Sequence, residues 1–322
     1  MYIKNFIKKN FKYLKLFVIF LCFVLIVISI ENTREIISSF KNIQLNYIYL
    51  LIILGIVVVN LYSIQSYFFF KKNFNLEVKF FEWSLLYFNT QFLENIPFLG
   101  TVSRAIILKK KKIQYKDFFL SYFFLHFLFC IVSFLLFTFE IYIFVDKNIN
   151  LFGYPLHAIT FLFFILFLIS TFFINFYKIF FNSKFIKKII KNNFILSELI
   201  LSLKKFSLII KNKNYLIFSI SIIILIHFFE FLIFYFSLKF FNFLFSFQII
   251  VLFYVIKIII GMFLIVPKNY FVTELGFSTI VNNLGYSFYI GFFITILIRL
   301  VSIISITLNL LLINIYRFFI NN

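Results

Sequence analysis

The sequence predicts an all-α integral membrane protein, a polytopic helical bundle of about seven or eight spans with two broken or re-entrant segments. Hydrophobic residues make up 63% of the 322 residues and charged residues only 13%, and the mean hydropathy is +1.06. Several stretches continue for about 18 or more residues without a charge, long enough for a helix to cross a bilayer. A membrane barrel would alternate apolar and polar positions, and residues 163–176 and 215–226 do not.

The distribution of lysines predicts the topology. The formal net charge is +20, and lysines cluster in residues 4–15, 109–116 and 184–213, outside the long apolar runs. Beside membrane helices, such clusters orient the chain and attract anionic headgroups. We therefore expect a multi-pass protein of the inner (cytoplasmic) membrane with its N-terminus in the cytoplasm. Membrane lipids, and no nucleic acid, are the expected partners.

The predicted spans follow one another along a single membrane domain, residues 1–322. Residues 16–30 follow a basic segment and lack the small-residue cleavage site of a signal peptide, so they predict a retained first span. Further spans are predicted at residues 46–70, 118–145, 154–177, 215–238, 241–266 and 286–313. Residues 184–213 place lysines between apolar residues at helical spacing, which is typical of an amphipathic helix on the cytoplasmic leaflet.

The first irregular segment, residues 81–102, is too polar for a lipid-facing helix. It contains Pro97 and Gly100, Arg104 follows it, and lysines flank it on both sides. A full crossing would place one basic cluster outside the cell, against the usual bias of membrane proteins. We therefore favour a re-entrant hairpin or a broken helix buried among other helices, and keep a full crossing as the alternative.

The second irregular segment, residues 267–285, has a similar composition. Pro267, Glu274 and Gly276 stand at apparent membrane depth. Paired interrupted segments in the two halves of a membrane protein indicate a binding site built from broken helices. The alternative is that both segments are ordinary loops.

Charged residues inside the predicted spans are candidates for function. Lys257 and Arg299 lie near the middle of two spans, and His227 and Glu230 share a face of a third. A charged side chain at mid-bilayer costs about 2.5–3.5 kcal/mol and faces the protein interior or a wet cavity. Lys257 and Arg299 either pair with Glu230 or Glu274 to lock helices together, or line a site for a phosphate headgroup. For His227 and His126 we predict satisfied positions in the polar core, and no metal site or cofactor follows.

The first irregular segment resembles the first motif of the flippase-like membrane domain, which is also called the lysylphosphatidylglycerol synthase transmembrane region. The motif is a Pro-Gly-rich turn, then Gly-Glu, then an Arg that enters an apolar run followed by basic residues. This chain has Pro97, Gly100 and Arg104 in that order, with Thr101 where the acid often stands and lysines at 109–112.

The second irregular segment resembles the second motif of the same family. That motif is a Pro-Gly-Gly-type turn, then a Gly, an acid and a short apolar helix, with an Arg in the final span. Here Pro267, Glu274 and Gly276 follow a similar pattern, Lys268 and Asn269 replace the turn glycines, and Arg299 matches the later Arg. The resemblance covers roughly residues 10–315 in motif order, motif spacing and hydropathy.

The resemblance implies a lipid flippase or transporter without enzymatic activity, which moves an anionic phospholipid or a lipid-linked sugar between leaflets in cell-envelope biogenesis. Envelope-synthesis enzymes are the protein partners that it implies. The expected substrate-binding residues are Arg104, Glu274 and Arg299 by resemblance, with Lys257 from its place in a span. The expected backbone-shaping residues are Pro97, Gly100, Pro267 and Gly276.

Two other functions are compatible with the sequence. One is a membrane-embedded glycosyltransferase that uses a polyprenyl-phosphate donor, for which Glu31 and Glu35 in the first extracytoplasmic loop are the available acids. The other is a non-transporting scaffold subunit of an envelope-synthesis complex. A scaffold predicts that Arg104 and Glu274 tolerate substitution.

Overall fold

The computed structural model describes residues 43–74, 76–94, 99–145, 212–263 and 272–321, with isolated positions between 150 and 209. These residues form eight helices and a two-residue strand pair. In chain order they are α1 (Asn46–Phe74), α2 (Phe80–Leu93), α3 (Leu99–Lys110), α4 (Tyr115–Phe144), β1 (Asn150–Leu151), β2 (Tyr154–Pro155), α5 (Lys213–Phe240), α6 (Phe247–Phe263), α7 (Val272–Asn283) and α8 (Phe288–Asn321). Strands β1 and β2 pair antiparallel, with Leu151 opposite Tyr154.

Several predictions lie outside the described residues. They are the first span, most of the span at 154–177, almost all of the amphipathic segment 184–213, and the two prolines Pro97 and Pro267.

Four of the described helices, α1, α4, α5 and α8, are long and apolar enough to cross a membrane. They confirm the spans predicted at 46–70, 118–145, 215–238 and 286–313. In their most apolar stretches only 28–33% of the residues are buried inside the protein. Helices that are apolar on all sides, yet mostly unburied by protein, are typical of a bilayer environment. The predicted fold class, a polytopic helical membrane protein, is confirmed.

Two span boundaries differ from the prediction. The span predicted at 241–266 begins only at Phe247, because α5 ends at Phe240 and a turn follows. In that turn Asn242 adopts a φ of 57°, a left-handed conformation that commonly ends helices. The neighbouring phenylalanines keep the turn apolar, so hydropathy does not reveal the break. The last helix, α8, also continues past the predicted end at Ile313 to Asn321, because no proline or glycine follows Ile313 to end it.

The first irregular segment is broken, as predicted, into two short helices. Helices α2 and α3 pack against each other, and their contact passes through Gly100. A Cβ atom at Gly100 would collide with the carbonyl oxygen of Thr90 and the backbone nitrogen of Glu94. This close approach requires glycine, which agrees with the predicted backbone-shaping role of Gly100.

The second irregular segment contains one short helix, α7, which packs on α8. It is followed by Gly285 at a φ of +86°, the glycine geometry of a helix end. A Cβ at Gly291 of α8 would lie 2.8 Å from the Ser278 Cα of α7, so these helices also approach closely. At Gly276 a Cβ would meet only Ile260 Cγ2, at 3.4 Å, and close packing does not demand glycine there.

Helix α1 lies at the centre of the bundle and contacts both α5 and α8. A Cβ at Gly55 would collide with Ser305 Oγ of α8, and Asn60 Nδ2 donates a hydrogen bond of 2.9 Å to Asn309 Oδ1. Small residues and side-chain amides let membrane helices approach and hydrogen-bond across their interface. These contacts hold α1 and α8 together beside the cavity described next.

Candidate functional site

A cavity of about 450 Å³ lies inside the bundle, and each of the eight described helices contributes to its wall. This volume suits a small molecule or a lipid headgroup. All four side chains predicted to bind substrate line it: Arg104 from α3, Lys257 from α6, Glu274 from α7 and Arg299 from α8. The two irregular segments therefore converge on one place. The binding role of these residues stays a prediction.

Arg104 is held by several partners on α2. Its Nη2 lies 2.9 Å from Glu94 Oε1 in an ion pair and donates to Gln91 Oε1 at 3.1 Å. Its Nε donates to Thr90 Oγ1 at 2.8 Å, and its guanidinium carbon lies 4.6 Å from the centre of the Tyr87 ring. Both charged side chains are less than a tenth exposed. Arg104 is thus a fixed positive charge in the cavity wall.

Arg299 is paired with an acid and is more exposed than Arg104. Its Nη2 lies 2.7 Å from Glu274 Oε1, and the Arg299 side chain is 23% exposed whereas that of Glu274 is 3% exposed. Thr273 Oγ1 donates to Glu274 Oε2 at 3.1 Å and accepts from Arg299 Nη2 at 3.4 Å. The predicted pairing of Arg299 with Glu274 is present in the structure. The Arg299 side chain is thus partly exposed where it lines the cavity.

A third charged group is formed by Glu230 of α5 and Lys257 of α6. Both side chains line the main cavity and a neighbouring cavity of about 290 Å³. Their charges are close enough to interact, and Tyr62 of α1 donates a hydrogen bond of 3.1 Å to Glu230 Oε1. Tyr87 and Ser302 also line both cavities. Glu230 and Lys257 therefore stand at the junction between the two spaces.

The charges in the main cavity nearly balance. Three cations line it (Arg104, Lys257 and Arg299), together with the two carboxylates of Glu230 and Glu274. The carboxylate of Glu94 lies behind Arg104. Each cation thus has an acid nearby, as a low-dielectric site requires.

An uncharged donor adds to the cavity wall. Gln65 of α1 is 5% exposed and lines the cavity, and its Nε2 has no hydrogen-bond partner among the described residues. A buried amide without a partner is costly, so it marks a place where a ligand or water is expected.

His227 belongs to the core rather than to the cavity. Its Nε2 lies 2.6 Å from Ser133 Oγ, its Nδ1 lies 2.9 Å from the Tyr254 hydroxyl, and its ring stacks on Phe129 with the centroids 4.7 Å apart. It is 3% exposed. The prediction of a satisfied polar core position is confirmed for His227, whereas it is wrong for His126, which is exposed and lines the cavity.

Sequence reasoning missed several cavity and partner residues. Glu94 is one of several polar residues in the first irregular segment, and its position in the sequence does not show that it pairs with Arg104. The resemblance expects an acid after Gly100, where this chain has Thr101. Helix α3 contains Arg104 but no acid. Because a charged residue inside a membrane protein needs a partner, this combination indicates that the acid lies in the neighbouring part of the chain. Tyr62 and Gln65 carried no signal, because they lie in an otherwise ordinary apolar span.

Among the residues that the structure describes, no group of three or more His, Cys, Asp or Glu side chains is arranged to hold a metal ion.

The fold and the cavity together define a multi-pass α-helical membrane protein with a charged internal cavity. The family model of the lysylphosphatidylglycerol synthase transmembrane region matches residues 13–309, so the chain belongs to that family. It is a family of membrane proteins with a lipid-related role at the cell envelope. Comparison with curated proteins and with solved structures finds no match.

Proposed function

We propose that this protein moves an anionic lipid between the two leaflets of the cytoplasmic membrane without altering it chemically. One observation carries the proposal: three cations from three different helices line a single headgroup-sized cavity in a membrane bundle of a lipid-related family. A cation inside a bilayer needs a negative partner, and an arriving phosphate can take the place of one of the two carboxylates that also line the cavity, Glu230 and Glu274.

The two arginines have different parts in the proposed recognition. Arg299 receives the phosphate, because its planar guanidinium matches two phosphate oxygens and its side chain is partly open to the cavity. In the empty cavity Glu274 neutralises Arg299, and the arriving phosphate displaces that carboxylate. Arg104 keeps its partners on α2 and contributes a fixed positive charge.

Phospholipids and polyprenyl-phosphate sugars share the group that this site recognises. Either lipid places its phosphate in the cavity while its hydrocarbon tails stay in the bilayer. We place the N-terminus and the lysine-rich surfaces in the cytoplasm, as positive-inside bias predicts. Envelope-synthesis enzymes that make or use the lipid are the expected neighbours, and the protein itself performs no catalysis.

Reconstituted liposomes test this proposal. In separate arms, a tail-labelled phosphatidylglycerol and a tail-labelled polyprenyl-diphosphate sugar are followed from the inner to the outer leaflet. We expect Arg299→Gln to slow the movement roughly tenfold or more, since a hydrogen bond to a charged group contributes about 1.5–3 kcal/mol. Arg317→Gln is the matched control, because Arg317 is on the same helix but exposed to solvent.

The outcomes separate the candidate functions. Equal rates for the wild type, Arg299→Gln and protein-free vesicles would refute transport. Release of free polyprenyl phosphate from the sugar donor would favour the glycosyltransferase. Movement in only one arm identifies the class of lipid.

A further inference from the structure

The recognition proposed for Arg299 assigns no role to the third charged group of the cavity, which Glu230 and Lys257 form. This group lies on different helices from Arg299 and Glu274 and borders two cavities instead of one. A carboxylate and an ammonium group inside a membrane bundle are both expensive, and such pairs mark ion or proton pathways.

The surroundings of Glu230 determine what it can bind. The titratable and charged groups that line the same cavity are Tyr62 of α1, Tyr87 of α2, Arg104 of α3, Tyr122 and His126 of α4, Lys257 of α6, Glu274 of α7 and Arg299 of α8, and Tyr254 of α6 interacts with the Glu230 charge. Apart from Glu274, which is paired with Arg299, these groups are cations or neutral donors. Tyr62 contacts one carboxylate oxygen, Oε1, and among the described residues no ion pair shorter than 4.0 Å fixes the other.

The balance of charge links Glu230 to Lys257. When Glu230 is ionised, its negative charge offsets the positive charge of Lys257. When Glu230 carries a proton, Lys257 presents an unbalanced positive charge to the cavity, and an anion binds there more tightly. Proton and anion therefore favour each other, and by linkage each increases the affinity for the other equally.

We propose that Glu230 is a proton-binding site that controls the charge presented by Lys257, so that a proton and an anionic headgroup enter the cavity together. The inference rests on the proposed function and adds the coupling ion to it. The proton comes from water and adds to the carboxylate, which changes from −1 to neutral. The headgroup brings one negative charge, Lys257 remains positive, and no covalent bond in the lipid is formed or broken.

Equilibrium binding tests the coupling directly. The probe is dihexanoyl phosphatidylglycerol, whose phosphodiester keeps one negative charge from mildly acidic to mildly alkaline pH. We expect the wild-type protein in detergent to bind it about tenfold more tightly at the acidic end, within the usual range of coupling between two sites. A pH indicator in weakly buffered solution should also report proton uptake on binding.

Three variants show which residues cause the pH dependence of probe binding. Glu230→Gln, which resembles the protonated acid, should bind tightly at both pH values and take up no proton. Lys257→Gln should bind weakly at both. Glu140→Gln is the matched control, because Glu140 is a half-buried acid of α4 that does not line either cavity, and it should keep the wild-type response.

The failures of the two proposals are distinguishable. If Glu230→Gln and Lys257→Gln both retain the wild-type pH response, the coupling is refuted while lipid movement in liposomes can still stand. If the wild type binds the probe with coupled proton uptake but moves no lipid, the transport function is refuted and the linked binding site remains. If it binds no probe at any pH, both proposals fail.

Discussion

Replacing Arg104 should destabilise the protein mainly through the acid that it leaves behind. In Arg104→Gln, Glu94 loses the partner that lies 2.9 Å from its carboxylate, at a side chain only 8% exposed. Removing one member of a buried ion pair costs about 3–5 kcal/mol. The contact with the Tyr87 ring contributes a further cation–π interaction of about 0.5–2 kcal/mol, which partly overlaps with that figure.

A double variant separates the stranded charge from the lost contacts. In Arg104→Gln with Glu94→Gln no buried charge remains, so the loss should fall to about 1–3 kcal/mol, the cost of unsatisfied polar groups. The double variant should therefore be about 2 kcal/mol more stable than Arg104→Gln alone, because the effects of residues in direct contact do not add.

The chain contains its own reporter for this measurement. Its single tryptophan, Trp83, is fully buried on α2, the helix that ends at Leu93, next to Glu94. Equilibrium unfolding in mixed detergent micelles, followed by Trp83 fluorescence, gives the free energy of unfolding of each variant. If the double variant is as unstable as Arg104→Gln alone, the stranded carboxylate is not the cause and the reasoning is wrong.

Three further predictions concern packing, the core histidine and topology. Gly100→Ala should destabilise the protein by about 1–3 kcal/mol through overpacking. Gly261→Ala should not, because a Cβ atom there would meet no atom within 4 Å. The same unfolding assay compares the two variants. His227→Ala should lower the free energy of unfolding by about 1–3 kcal/mol, because Ser133 and Tyr254 lose a hydrogen-bond partner. The rate of lipid movement per folded molecule should stay unchanged. An equal loss of lipid movement and of lipid binding would contradict the core role of His227. With the native cysteines replaced by serine, Lys111→Cys should react with an impermeant reagent only from the cytoplasmic side and Leu45→Cys only from outside, and the reverse pattern would invert the topology.

The spans were predictable because one physical requirement defines them. An uninterrupted apolar length is enough to identify α1, α4, α5 and α8, whatever they contact. The turn between α5 and α6 was not predictable in this way, because it depends on the backbone conformation of Asn242 within residues that are themselves apolar. Hydropathy indicates whether a segment lies in lipid or in water. It does not show where the backbone hydrogen bonds of a helix end.

The sequence predicted which charged residues belong to the candidate site, but not which acid pairs with which base. Lys257 and Arg299 stand out because charges in spans are rare, and Arg104 and Glu274 because of the motifs. Which acid meets which base depends on how the helices pack. Glu94 reaches Arg104 only because Gly100 lets α2 and α3 approach so closely. The contact depends on how α2 and α3 pack together, and the position of Glu94 in the sequence does not predict it.

The near balance of charge in the cavity has an electrical consequence. With Glu94 included, three cations face three carboxylates, so the empty site carries no net charge. An anion that enters with one proton leaves that sum at zero. A membrane potential does work only on net charge, about 2.3 kcal/mol per elementary charge for each 100 mV. Lipid movement should therefore proceed at the same rate in vesicles with and without an imposed potassium diffusion potential, and a voltage-dependent rate would show that a charge crosses uncompensated.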